Sequence, residues 1–375
     1  RKFTKKLQKK IRKYLRGFRD QNLYEARNNQ CLQITIGEIR GLVRDLLLSE
    51  ALNKSDKTEI EKIARKQAKK EISKVIMGNE EMINQVIIAF FCGGHVLLEG
   101  VPGLGKTLLV KTFSKILNIE FNRIQFTPDL MPADIIGTTV IHQLDSGERI
   151  FRFRKGPLFA NLILADEINR ATAKTQSALL EAMGEGHITV AGKSHSLNKP
   201  FFVMGTQNPL EMDGTYKLPE AQLDRFLFKI DLPMPPLDVL MRIVDTTTNN
   251  SQAEIFPVVD VPTIIEIQSN IRDIPIASHL NELACKLILA SQPDSQQSSQ
   301  IARKYVAHGV GPRGLQSLIL ASKARAYFDG RLNVSQEDLL NMIYPTFRHR
   351  IIMNFEGEAD GLCGDDIIEK ITSQI

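Results

Sequence analysis

The sequence has no apolar run long enough to span a bilayer. The longest, Val86 to Leu98, is interrupted by Gly93, Gly94 and His95, whereas a spanning helix needs ~20 consecutive apolar residues. No signal-peptide pattern is present. Cysteine is scarce: Cys31, Cys92, Cys285 and Cys363 lie far apart with no C-x-x-C pair. That argues against a disulfide framework and fits free thiols in a reducing cytosol, so a cytoplasmic location is expected. The seven histidines show no metal-ligand spacing and read as surface or core residues. Acids are missing from one place. Residues 1 to 19 hold ten Lys or Arg and no Asp or Glu. Removing those ten from the net charge of +5 leaves the rest of the chain at −5. A mildly acidic body counts against a nucleic-acid motor, whose footprint includes a basic channel.

What is present is a chain of 375 residues, enough for two or three domains and a sizeable core. It opens on Arg1 rather than Met, so an upstream segment is expected. Phe3, Leu7, Ile11, Tyr14 and Phe18 recur at three and four residues among the cations. This predicts a basic amphipathic helix over 1–19, a surface for a membrane, nucleic acid or a neighbouring subunit, or an arm packed on its own domain. Further helical stretches run from about Ile36 to Leu52 and from Lys57 to Lys74. Residues 1–74 therefore read as a basic helical extension.

The informative stretch is Gly100-Val101-Pro102-Gly103-Leu104-Gly105-Lys106-Thr107, which fits G-x-x-x-x-G-K-[ST] at every fixed position. An apolar run, His95 to Glu99, leads in as a strand, and the helix formers Leu108 to Leu117 lead out. That strand–loop–helix setting gives the motif its meaning. Glycines let successive N–H groups close around phosphate oxygens, and the helix start adds a positive dipole end. In this pattern the Lys106 ammonium reaches the β- and γ-phosphates of a nucleotide, and the Thr107 hydroxyl ligates Mg²⁺.

About sixty residues on, Asn161-Leu162-Ile163-Leu164-Ala165-Asp166-Glu167 describes a buried parallel strand ending in two acids at the ligand edge of a sheet. Asp166 is placed to hold Mg²⁺ through water, and Glu167 to orient and deprotonate an attacking water. Phe201 to Gln207 is another buried strand, and Asn208 after it lies between the two phosphate-side strands. Taken alone, Asn208-Pro209 also reads as a simple turn. Two hairpins are expected, Thr138 to Phe153 around Asp145-Ser146-Gly147 and a second starting His187 to Lys193. A helix spans Thr172 to Glu185, and a last strand Leu227 to Leu232 follows Asp224-Arg225-Phe226. Arg225 at the end of a helix suits a neighbouring subunit's site, and an arginine supplied in trans accelerates phosphoryl transfer by about 10³–10⁵. The alternative is a surface pair with Asp224.

Pro233, Pro235 and Pro236 mark a boundary, dividing a 75–235 α/β core from a 236–375 helical part. Helices are expected near Pro262 to Ile271, Ser278 to Ala290, Pro312 to Phe328 and Ser335 to Phe347, with a polar loop over Ser291 to Gln300. Arg313 in the first turn of its helix opposes the dipole there at a cost of a few tenths of a kcal/mol, about what a bound phosphate would offset.

With these residues assembled, the chain resembles the MoxR family of AAA+ ATPases over about Val75 to Ile375. The resemblance rests on the phosphate loop, Phe159 through Arg170, Gln176 through Met183, Thr206-Gln207-Asn208-Pro209, Pro219 through Phe226 and Phe347 through Asp360. It implies an α/β core with a parallel sheet and two hairpin inserts, followed by a helical lid. It assigns Lys106 and Thr107 to Walker A, Asp166 and Glu167 to Walker B, and Asn208 to sensor 1. Arg225 becomes the arginine finger and Arg313 sensor 2, Ile76 and Gly78 flank the adenine, and Leu108 joins the nucleotide-binding run. It also implies ATP and Mg²⁺ as cofactors, a homo-oligomeric ring, usually a hexamer, and chaperone-like remodelling with von Willebrand factor A domain partners. Thr172, where a Pro is usual, and Gly309-Val310-Gly311-Pro312 depart from the family pattern. Two other readings stay open: a hairpin-bearing DNA motor, and a nucleotide-binding scaffold without turnover.

Overall fold

The computed structural model describes residues 71–72, 78–101, 103–143, 145, 149–208, 216, 218–248 and 254–374. All lie in the second of two units into which the chain divides, Lys62–Ile375. The expected helices before residue 71, Cys31, Ile76, Pro102 and most of the first hairpin's turn lie outside the described residues.

Helix α1 (Glu80–Phe91) carries Glu80 and Glu81 in its first turn, where the dipole favours acids, and buries Met82, Ile83, Val86, Ile87, Phe90 and Phe91. It ends at Gly93, in the left-handed region at φ +70. Gly94 follows in close contact, since a Cβ there would stand 2.6 Å from the Leu227 Cβ. The chain then enters β1 (Val96–Glu99), α2 (Lys106–Leu117) and β2 (Phe121–Gln125). After a short α3 (Pro132–Ile136), β3 (Gly137–Gln143) and β4 (Arg149–Lys155) form an antiparallel hairpin. Next come β5 (Leu162–Asp166), α4 (Ala173–Glu185), a second hairpin of β6 (His187–Val190) and β7 (Lys193–Ser196), and β8 (Phe202–Gln207). Its turn has positive φ at both Ala191 and Gly192, the two-residue geometry that suits strand twist. The core closes with α5 (Glu220–Leu223) and β9 (Phe228–Asp231).

Five strands make one parallel sheet in the order β2-β5-β8-β1-β9. Alternate residues face opposite layers, as the two-residue strand period requires. Val96, Leu98, Leu162, Leu164, Phe202, Met204, Phe228 and Ile230 pack on α1 and α2, while Leu97, Ile124, Ile163, Ala165 and Val203 pack with Leu179, Leu180 and Met183 of α4. Phe90 anchors the first layer, edge-on to Phe113 at 5.2 Å and to Phe202 at 5.3 Å. β1, first in the chain, lies between the fourth and fifth sheet strands. Chain order reverses there, and ligands of open α/β sheets bind at such a point beyond the carboxyl ends of the strands.

Beyond Pro236 the chain is helical but not purely so. Helix α6 (Leu237–Thr247) starts at once with Pro236 as N-cap, where the sequence predicted no helix before Pro262. Then come α7 (Val261–Arg272), α8 (Ser278–Ser291), α9 (Gln300–Tyr305), β10 (Val306–His308), α10 (Pro312–Phe328), α11 (Gln336–Phe347), β11 (Ile352–Met353), α12 (Phe355–Ala359) and α13 (Gly364–Thr372). Side chains cap several starts: Asp260 accepts from Thr263 N, Ser299 from Ala302 N, and Ser335 forms a capping box with Asp338. The short β10–β11 ribbon is an addition to the expected helical part. Strands of two and three residues show no alternation from which sequence could find them. The helical part shares its core with the first sheet layer. Phe328 of α10 meets Phe91 edge-on at 5.3 Å, and Gln268 of α7 donates to Phe90 O at 3.0 Å.

Two buried histidines tie these layers. His95 Nδ1 accepts from Val203 N–H at 3.1 Å, so Nε2–H donates to Met183 O at 3.2 Å. Burial lowers its pKa to about 4. His349 Nε2 bonds Phe226 O, and burial with the Arg350 charge beside it holds that ring well below the usual range. Both rings are neutral when folded, whereas in the unfolded chain each binds a proton below about pH 6.5. Stability is therefore full above pH 6.5 and is lost as pH falls toward 4. For His95 the loss between pH 7.5 and 5 comes to about 2 kcal/mol. Denaturant midpoints at the two pH values check this, and a flat profile would contradict the neutral, buried assignment.

Candidate nucleotide site

The phosphate loop leaves β1 and runs into α2, whose first residue is Lys106. Gly103 at φ +90 and Gly105 at φ +74 take left-handed backbone, and a Cβ built on either meets nothing within 4 Å. Among the described residues nothing crowds the loop at these two positions. Gly100 is needed for a different reason: a Cβ there would lie 2.7 Å from the Leu232 Cβ and 2.9 Å from the Leu232 carbonyl. Lys106 curls back, with Nζ donating to Gly100 O at 2.6 Å. Partial burial lowers its pKa, opposed by the negative charges of Asp166, Glu167 and Glu99. Thr107 beside it is half-buried, and Leu108 is exposed. Val101 and Leu104 are half-buried, and Leu104 packs against the core.

Asp166 is the last residue of β5, one strand removed from β1 across β8. Thr206 of β8 donates its hydroxyl to Asp166 Oδ1 at 2.7 Å and accepts from Glu167 N–H at 2.8 Å. Arg123 of β2 grips Asp166 Oδ2 through Nη2 at 2.7 Å and Nε at 3.1 Å. Glu167 sits at φ +56, a left-handed conformation uncommon outside glycine, at the turn from strand to the single 3₁₀ turn Ile168–Arg170. Its carboxylate accepts from Gln125 Nε2 at 2.8 Å and Arg170 Nη1 at 3.1 Å. Asn208 follows β8 directly and is half-buried. The strand register sets Gln207 against Glu99, so Asn208 comes level with the start of the phosphate loop.

The structure thus brings Lys106, Asp166, Glu167 and Asn208 to one edge of the sheet. It adds Arg123, Gln125, Arg170 and Thr206, which the sequence reading did not single out. A signal existed for two of them. Arg123 and Gln125 are two apart on a strand and so share a face, and register places Gln125 opposite Asp166.

Three expected residues stand apart. Gly78, at φ +80, packs on α6, because a Cβ there would come 2.2 Å from Val239 Cγ1. Arg225 lies against α4, with Nη1 donating to Leu180 O and Nε buried without a partner among the described residues. Among the described residues it makes no hydrogen bond or ion pair with Lys106, Asp166 or Glu167. The alternative pairing of Arg225 with Asp224 is not what forms. Asp224 Oδ1 instead takes Arg350 Nε at 2.7 Å, and Oδ2 lies 3.8 Å from Arg313 Nη1. Arg350 is the more deeply buried of the two guanidinium groups and needs the counter-charge more, so it takes the carboxylate. Arg313, in the first turn of α10, has part of its conflict with the helix dipole offset by Asp224.

Among the described residues no group of three or more His, Cys, Asp or Glu forms a metal cage. Thr107 and Asp166 still suit Mg²⁺, which is usually held by one or two protein ligands together with substrate phosphates and water.

A parallel sheet with a glycine loop at its switch point and paired acids at the end of the next strand but one defines a P-loop ATPase of the AAA+ class. The family model described as "ATPase family associated with various cellular activities (AAA)" matches residues 95–228, and the AAA lid domain matches 298–371. The chain is 37% identical over 308 residues to Chaperone MoxR1 of Mycobacterium tuberculosis, covering 81% of this chain and 80% of that one. It is 37% identical over 305 residues to the uncharacterized protein YeaC of Bacillus subtilis, covering 81% and 92%. A crystal structure of a Cytophaga hutchinsonii protein assigned as an ATPase superposes with a TM-score of 0.80 at 39% identity, over 86% of this chain and 97% of that one. The chain belongs to the MoxR family of AAA+ ATPases.

Proposed function

We propose that the protein hydrolyses ATP with Mg²⁺ at the subunit interfaces of a ring, a hexamer by family resemblance, and uses that cycle to remodel or mature partner proteins. The convergence of Lys106, Asp166, Glu167 and Asn208 at the carboxyl edge of β1, β5 and β8 carries this reading. The α/β core of residues 75–235 binds the phosphates, and the lid of 236–375 covers the nucleotide. The glycine loop, Val101, Leu104, Thr107 and Leu108 surround the phosphates, while Ile76 and Gly78 flank the adenine. Thr107 and Asp166 would hold Mg²⁺, which would supply positive charge against the phosphates. Glu167 takes the proton of the attacking water, Asn208 orients that water or the γ-phosphate, and Arg313 reaches the phosphates from the lid. Arg225 serves the neighbouring subunit.

The remodelling role draws support from the name of the M. tuberculosis relative, a chaperone. Von Willebrand factor A domain proteins are the proposed partners. A client-facing surface is the first hairpin, whose exposed Ile141 and Phe151 face each other across the strands beside Arg149, Arg152 and Arg154. Free Cys92, Cys285 and Cys363 fit the cytoplasm. The basic strand β4 also keeps the DNA-motor reading open, and DNA-stimulated hydrolysis that falls steeply with salt would favour it.

ATP turnover against protein concentration, with particle mass followed in parallel, tests the ring reading. Specific activity should rise as rings form. Flat activity from a monomer would count against an interface site. Lys106→Ala should weaken ATP binding by about 10- to 100-fold, because a charge-assisted hydrogen bond contributes ~1.5–3 kcal/mol. Calorimetric titration of ATP measures this, and unchanged affinity would remove Lys106 from the site.

A further inference from the structure

We propose that Arg350 is a positioning residue that sets Arg225 for the neighbouring site by pinning the Asp224–Leu227 turn to the lid. This rests on the reading that Arg225 acts in trans. Three consecutive residues after α11 reach the core. Arg348 Nη1 bonds Asp231 at the end of β9 at 2.8 Å, while its Nε and Nη2 hold Asp365 of α13. His349 bonds Phe226 O. Arg350 does the most. Its Nε donates to Asp224 Oδ1 at 2.7 Å, and Nη2 to Asp224 O at 3.1 Å and Phe226 O at 2.7 Å. Its Nη1 reaches Leu227 O at 3.3 Å and Thr346 O, and Nη2 also reaches Ser317 Oγ at 3.3 Å.

Two of these acceptors, Asp224 O and Phe226 O, are the carbonyls on either side of Arg225 along the chain. The backbone from which the Arg225 side chain springs is therefore fixed on both sides by one guanidinium. The lid partners are equally placed. Ser317 lies on α10, whose first turn carries Arg313, and Thr346 lies on α11. Gly314, next to Arg313, makes room for the Arg350 stem: a Cβ there would stand 2.9 Å from Arg350 Cδ. Asp224 is shared, holding buried Arg350 on one oxygen and facing exposed Arg313 from the other. The bonds of this guanidinium are fixed in a planar fork, so it transmits displacement where a flexible ammonium would not. A lid movement that carries α10 thus carries the turn bearing Arg225.

The test is a mixing experiment with full-length chains. Arg350→Lys alone should keep its KM for ATP and lose about 10²-fold in kcat, the scale of a ~1 Å misplacement of a reacting group. At an ATP concentration that fills unaltered sites but not the weakened Lys106→Ala sites, Lys106→Ala subunits contribute no turnover of their own but keep an intact turn, so in excess they should restore turnover at the Arg350→Lys sites. Arg225→Ala mixed with Lys106→Ala runs alongside and should recover in the same way. Recovery of Arg225→Ala without recovery of Arg350→Lys would show that Arg350 acts on its own site or on folding, and would overturn the proposal while sparing the trans reading. Recovery of neither would sink the trans reading and this proposal with it. Unchanged kcat in Arg350→Lys alone would also overturn it. If thermal melting shows that Arg350→Lys does not fold, Asp224→Asn replaces it. That variant keeps the shape of the turn but removes its charge, and the same mixtures are read in the same way.

Discussion

Arg225→Ala is expected to lower ATP turnover by about 10³-fold or more while leaving ATP affinity close to that of the unaltered protein. The expectation follows from where the side chain lies. Its guanidinium rests on the Leu180 carbonyl of α4, away from Lys106 and the paired acids, and its Nε is buried without a partner among the described residues. An unpaired buried N–H costs ~1–3 kcal/mol, so this resting position is held weakly and the side chain is ready to leave it for a phosphate. Removing it takes nothing from the subunit's own phosphate contacts, so binding persists. It removes a cation that acts only when charge builds on the transferring phosphoryl group, so turnover falls. Nucleotide binding by calorimetry and phosphate release by colorimetry separate the two, with particle mass confirming that rings still form. Normal hydrolysis by a ring of Arg225→Ala subunits would end the trans assignment. A matching loss of affinity would place Arg225 in its own site.

The parts of the site legible in the sequence are those whose chemistry is local. The glycine loop needs adjacent residues, and so does the apolar strand that ends in Asp166 and Glu167. The helices expected around Leu108–Leu117, Thr172–Glu185 and Pro312–Phe328 form within two residues of those bounds. What escaped depends on register or on long loops. Arg123 and Gln125 matter only because β2 lies beside β5 and brings them level with Leu164 and Asp166. Arg350 finds Asp224 across 126 positions of chain. The sequence offered Asp224 a partner one residue away, and the fold gave it one from the lid. Helix α6 escaped because three prolines precede it, and Pro236 serves there as an N-cap rather than a break. The buried pairing of His95 with strand β8 escaped for the same reason as Arg123: no local pattern marks a histidine that bonds a backbone N–H 108 residues on.

Glu167→Gln is expected to keep ATP bound and to lower turnover by about 10²–10⁴-fold, the usual contribution of a positioned general base. The substitution conserves size and leaves the phosphate loop untouched. Lys106 retains the charges of Asp166 and Glu99, and Asp166 retains Arg123 and Thr206. The left-handed backbone at position 167 aims whichever side chain stands there, so geometry changes little. An amide, however, cannot take a proton from water. In the present structure the Glu167 carboxylate accepts from Gln125 and Arg170, both on Oε2, and these bonds hold it turned toward those two side chains. Releasing one of these partners leaves the carboxylate freer to turn toward an attacking water. Gln125→Ala relieves one restraint and should raise the basal rate, whereas Glu167→Gln removes the base itself, and Gln125→Ala cannot rescue it. Single-turnover hydrolysis by the two single variants and the double variant checks the order of events. A double variant as slow as Glu167→Gln places Gln125 upstream of the base. Recovery in the double variant would mean that another group activates the water.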